Sequence, residues 1–207
     1  MKSGQWIMTA SGKRFDYETP KMESIDIEDI ATALSNTCRY SGHCGSFYSV
    51  AEHSVLVSFL VDQEMIGAPF AGLMHDAAEA YCCDVPLPLK ESMRLDSLPR
   101  KSPYHDIIGR VETAIRRKFI VRHNEEVATE VKYCDVLSCL MEAKTFFGHR
   151  NMADWPFYSP DRIAEGYERL GLVSFECRPD FFKGNQGMTP RSARTLFLER
   201  FHELYHP

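Results

Sequence analysis

Apolar and polar positions follow two rhythms along this chain. Residues 6–17, WIMTASGKRFDY, give the one good strand signal: two short strands around a Ser11-Gly12 turn, which predicts a hairpin. From Ile25 the period becomes helical. Ile27, Ile30, Ala31 and Leu34 recur at helix spacing, and Asp26, Glu28 and Asp29 fill the opening turns, where negative charge suits a helix N-terminus. Ser49-Val50-Ala51-Glu52 reads as a capping box, so the next helix starts there and runs through His53, Val57 and Leu60. Pro69 fits the first turn of another helix, through FAGLMHDAAEAYCCD, ending before Pro86. Asp84 to Pro88 reads as its exit loop. Ser102-Pro103, Asn124 with Glu125 and Glu126, Ser159-Pro160 and Thr189-Pro190 mark four further starts. The helix after Asn124 is the longest, reaching about Phe147, while residues 175–188 look irregular. The expected class is mainly α with a small N-terminal β-hairpin.

Composition adds bounds. The chain has 207 residues, 44% hydrophobic and 26% charged, which suits one sizeable core and a single domain over 1–207. A core of about 26–147 would be followed by a helical extension over about 148–207. The formal net charge of -5 is unlike the basic footprint of a duplex-binding protein. Seven cysteines occur without a C-x-x-C pair, and the first residues lack an apolar signal region. A cytoplasmic protein with reduced thiols, no membrane association and no stable nucleic-acid partner is the expectation.

The chemistry centres on the dipeptide His75-Asp76. His53 shares an apolar helix stripe with Val50, Leu56 and Val57; Asp135 shares one with Val131, Ser138 and Cys139. An unpaired carboxylate on such a stripe is costly, so it calls for a cation or strong donors. His75 is flanked by Ala71, Gly72 and Ala78, small enough to let other helices approach. Three helices can thus bring two imidazoles and two carboxylates together, a mixed N/O set suited to Mn, Co, Ni, Fe or Zn. Glu79, one turn beyond Asp76, could orient water or pass a proton, and Asp84 could assist. Arg39 and Lys90, read as loop residues flanking the site, could contact phosphate. His43 is a further candidate donor in the Arg39 loop. His105, His123 and the run Arg116-Arg117-Lys118 read as surface.

RYSGHCGSFYSVAEHS, LMHDAAEAYCCDVPLPLK and KYCDVLS together resemble the HD-domain phosphohydrolase superfamily, in particular its 5′-deoxynucleotidase-like branch of bacteria and phages. The match spans roughly residues 26–140. It implies an HD-domain helical bundle, one divalent metal (Co, Mn, Ni, Fe, Mg or Zn) on His53, His75, Asp76 and Asp135, Glu79 and Asp84 as catalytic carboxylates, and Arg39 as the phosphate-gripping arginine. It also implies a small deoxynucleotide as substrate, either a 5′-monophosphate or a triphosphate such as dATP, and a homo-oligomer. Tyr40, grouped with the substrate-binding residues, stands where the bacterial nucleotidases have tryptophan, so base preference does not carry over. A signalling-nucleotide hydrolase is the alternative enzyme, but Ala80 follows Glu79 where an acid would stand. A metal-stabilised regulatory module is the alternative without catalysis, and Glu79 and Asp84 argue against it.

Overall fold

Trp6–Met8 (β1) pairs antiparallel with Arg14–Asp16 (β2), in the register Trp6–Asp16, Ile7–Phe15 and Met8–Arg14. The connecting turn uses Gly12 at φ +80°, a conformation glycine adopts without a Cβ clash. These contacts come from a computed structural model that describes residues 4–93, 103–147, 152–155, 157–172, 181–182 and 186–206. Alternation along β2 turns Phe15 fully inward, where it stacks on Tyr81 with ring centroids 4.0 Å apart. The hairpin thus closes one end of a helical core.

Helix α1 (Ile27–Asn36) is capped by Asp26, whose carboxylate accepts the Glu28 N–H. Helix α2 (Val50–Leu60) begins at the expected capping box: Ser49 accepts from the Glu52 N–H, and the Glu52 side chain accepts from the Ser49 N–H. All eleven residues of α2 are buried, so it is a central rod and not an amphipathic surface helix. Around it come α3 (Ala68–Met74), α4 (Glu79–Cys82), α5 (Leu87–Ser92), α6 (Pro103–Phe119), α7 (Glu125–Phe147), α8 (Pro160–Leu172) and α9 (Pro190–Leu204). Helices α1, α3, α7, α8 and α9 all pack on α2. Asn124 caps α7 by accepting the Val127 N–H at 2.9 Å, and Thr189 caps α9 by accepting the Ser192 N–H at 3.2 Å. Ser102 and most of 175–188 lie outside the described residues.

Two elements differ from the sequence reading. The helix expected from Pro69 to just before Pro86 is interrupted between α3 and α4. There the N–H groups of Ala77, Glu79, Ala80 and Tyr81 bond back to the carbonyls of Met74, Asp76, Ala77 and Ala78, three residues earlier. This tighter winding turns adjacent side chains by more than an α-helix would, and apolar periodicity does not register it. Lys90, read as an exit-loop residue, sits instead in α5.

One buried apolar cluster reaches from Phe15 to Phe201. Helix α9 closes it with Phe197 and Phe201, and with Arg200, which is buried over the Phe59 ring at 4.1 Å. Its Nε donates to Ser58 Oγ and its Nη2 to the Ser58 carbonyl, both at 3.1 Å, so the charge is not left without partners. Among the described residues, no helix is long and apolar enough to cross a membrane.

The crossing of α2 and α3 positions the site. A Cβ on Gly72 would lie 3.2 Å from Ser58 Cα, so the two backbones cross closely and a side chain there would push them apart by a few tenths of an ångström. Replacing Gly72 with Val should therefore destabilise the protein by about 1–3 kcal/mol through overpacking, lowering Tm by roughly 2–4 °C per kcal/mol. Chemical denaturation checks this, and wild-type stability in that variant would refute the close-crossing account.

Candidate metal centre

Three elements supply the cluster. His53 projects from α2, His75 and Asp76 from the tight turn after α3, and Asp135 from α7. His53 Nε2 lies 3.2 Å from His75 Nε2 and 3.2 Å from Asp135 Oδ1. Asp76 Oδ2 lies 3.1 Å from His75 Nε2 and 3.5 Å from His53 Nε2. Ligand atoms of His53, His75 and Asp135 all fall within 4.8 Å of one another, a grouping that could hold a metal ion.

The donor chemistry fits a cation. His75 Nδ1 is 2.8 Å from the Gly72 carbonyl, which only accepts, so Nδ1 carries the proton. His53 Nδ1 is 2.7 Å from Glu142 Oε1, a carboxylate, so it too is the donor. In neutral imidazoles both Nε2 atoms are then bare lone pairs. They face each other and the Asp76 and Asp135 carboxylates, an arrangement that needs either a metal or extra protons. Protons are the other way to meet it. Burial pulls His75 down, but Asp76 and Asp135 outweigh it and push the imidazole up to about 9. Against the same burial, pairing with His75 and His53 holds Asp76 below the usual carboxylate range. The His53 hydrogen bond and the His75, His53 and Lys132 charges do the same for Asp135.

Glu142 belongs to this cluster and was missed by the sequence reading. It is fully buried and accepts from His53 Nδ1, from Arg39 Nε at 3.1 Å, from Tyr40 Oη at 3.0 Å and from Tyr48 Oη at 3.1 Å. Burial opposes its ionisation, yet Arg39 and His53 hold it below the ordinary glutamate value. A signal was present: positions 135, 138 and 142 lie on one helical face, and Ser138 Oγ is 3.2 Å from His53 Nδ1. A metal-ligating histidine is normally oriented in this way by a carboxylate on its other nitrogen.

The remaining candidates distribute around the cluster. Arg39 is buried, with Nη1 3.8 Å from Asp76 Oδ2. Tyr40 turns its hydroxyl to Glu142 and packs edge-on against Phe147 and Trp155. To do so, Tyr40 and Ser41 adopt φ of 56° and 52°, a strained left-handed pair. Glu79 is buried, with Oε1 3.4 Å from Lys90 Nζ and Oε2 without a hydrogen-bond partner among the described residues. Its burial and the Asp76 and Asp84 charges push its carboxyl up to about 9. Asp84 is half-buried; burial raises its carboxyl despite the opposing charge of Arg39. His43 stays on the exposed tip of the loop, outside the cluster.

The fold and site thus define a helical protein with a convergent His/Asp centre. The chain is 36% identical over 199 residues to the uncharacterized protein YfdR of Escherichia coli, covering 96% of this chain and 95% of that protein. It is 30% identical over 208 residues to an uncharacterized protein of Rhodobacter capsulatus, again covering 96% and 95%. The chain belongs to the family of YfdR. No protein-family model matches it.

Glu142→Gln keeps the shape but removes the charge that orients His53. Metal affinity, measured by equilibrium dialysis, should fall about 10–100-fold. Unchanged affinity in a folded variant would show that Glu142 does not tune the cluster.

Proposed function

We propose that this protein is a metal-dependent phosphohydrolase of the HD type, acting on 2′-deoxynucleotides. One observation carries the reading: both histidines commit Nδ1 to fixed acceptors, which leaves both Nε2 atoms aimed with two carboxylates at one point. His53, His75, Asp76 and Asp135 would hold one divalent cation from the set Mn, Co, Ni, Fe, Mg and Zn. When bound, the cation supplies Lewis acidity toward a phosphate oxygen and toward water.

The chain's own residues supply the rest. Glu79, raised to about 9, carries a proton at neutral pH and can give it to the leaving oxygen. Oε2, buried and without a hydrogen-bond partner among the described residues, is the oxygen left for that contact, while Lys90 holds Oε1. The Arg39 guanidinium, anchored through Nε on Glu142, offers its Nη end beside Asp76 to a phosphate oxygen. Asp84, within the field of Arg39, Asp76 and Lys90, would help hold the substrate or the water.

Wild-type protein incubated with a panel of deoxy- and ribonucleotides and several divalent metals should release nucleoside together with phosphate or polyphosphate from a deoxynucleotide. Glu79→Gln should lower kcat by about 10²–10⁴-fold while metal is retained. Asp76→Asn should lose turnover and retain metal poorly. Full activity in Asp76→Asn, or no hydrolysis of any nucleotide by metal-loaded wild type, would sink the reading.

A further inference from the structure

The loop that carries Arg39 and Tyr40 also carries two thiols, Cys38 just before Arg39 and Cys44 just after His43. It is pinned at its base, where the Arg39 N–H donates to the Tyr48 carbonyl at 2.8 Å and the Val50 N–H to the Thr37 carbonyl at 3.0 Å. Beyond that base the chain winds back on itself. Tyr40, Ser41 and Gly42 take φ of 56°, 52° and 78°, three left-handed residues in succession, and the His43 N–H closes the turn on the Tyr40 carbonyl at 3.0 Å. Cys44 Sγ is thereby returned to within 3.7 Å of Cys38 Sγ. Among the described residues this is the one pair of cysteine sulfurs in such contact.

Paired thiols suit two chemistries, a soft metal or two-electron oxidation. A structural metal takes about four ligands. The grouping of possible ligands among the described residues is His53, His75 and Asp135, which includes neither of these cysteines. Oxidation needs the pair alone. The S–S bond of a disulfide is about 2.0 Å, so the remaining gap must close by rotation of two side chains whose sulfurs already meet. Both cysteines are half-buried, and Ser41, Gly42 and His43 between them are exposed, so a small oxidant can reach the sulfurs. Burial, with the hydrogen bond to Cys38, pushes the Cys44 thiol up to about 11. Cys44 is therefore held as a thiol, within 3.8 Å of the Arg39 carbonyl that accepts its proton, and Cys38 is the sulfur left to react first.

We propose that Cys38 and Cys44 are a site of reversible oxidative modification, which takes a low-molecular-weight disulfide as co-reactant and closes to an intramolecular disulfide. Cys38, as thiolate, attacks one sulfur of the co-reactant; that S–S bond breaks, and the first thiolate leaves and takes up a proton. Cys44 then gives up its proton and attacks the Cys38 sulfur, which expels the second thiolate. Two cysteine thiols have lost two electrons and two protons, and the co-reactant has become two thiols. The ring closed in this way encloses Arg39, whose Nη1 lies 3.8 Å from Asp76 Oδ2. Oxidation thus acts on the loop that reaches the candidate metal centre, whatever reaction that centre performs.

The test equilibrates the full-length, folded protein with oxidised glutathione in excess over reduced, then blocks free thiols with N-ethylmaleimide. Trypsin cuts after Arg39, between the two cysteines, so the disulfide appears in mass spectra as a link between two peptides. The expected result is a link mapped by fragmentation to Cys38 and Cys44, with loss of two of the seven alkylatable thiols. Dithiothreitol should restore both. Cys38→Ser and Cys44→Ser should each abolish the link, and Cys83→Ser should keep it. Retention of all seven thiols, a glutathione adduct on either cysteine that does not go on to the ring, or a link mapped to any other cysteine overturns the proposal. The peptide map of the wild type decides the matter even where a serine variant misfolds.

Discussion

The hydrogen bond from His53 Nδ1 to Glu142 governs the centre of this molecule. A carboxylate buried as fully as Glu142 is expensive to charge, and only several donors at once make it affordable. His53, Arg39, Tyr40 and Tyr48 provide them, and each is thereby fixed in place. The loop bearing Arg39 and Tyr40 accepts two left-handed residues to reach this carboxylate. His53 gains a defined tautomer, with its other nitrogen bare and facing His75 and Asp135. A buried charge on α7 thus sets the direction of a lone pair on α2.

The fold serves that geometry through close approach. Gly72 brings the α2 and α3 backbones together, and its carbonyl also receives His75 Nδ1. The three-residue winding after Met74 then brings His75 and Asp76 to one place, so that Asp76 Oδ2 reaches both imidazoles. On the other side α9 holds α2 through Arg200 and Ser58, away from the cluster. The centre is therefore built from elements that are individually ordinary and mutually constrained.

Much of this was legible in the chain. The capping residues Ser49, Asn124 and Thr189 mark true helix starts because they act locally, through hydrogen bonds three residues away. His53, His75, Asp76 and Asp135 were legible because their order and apolar settings agree. Glu142 was hidden because a glutamate in a long helix looks like a surface charge until its partners, about 90 to 100 positions earlier, are known. The break between α3 and α4 was hidden because alanine-rich sequence suits both windings.

Crystals grown with Mn²⁺ and measured for anomalous scattering would test the central claim most directly. The account predicts one strong peak within about 2.0–2.3 Å of the Nε2 atoms of His53 and His75 and of oxygens of Asp76 and Asp135. A peak elsewhere, or none at this cluster at saturating Mn²⁺, would contradict it.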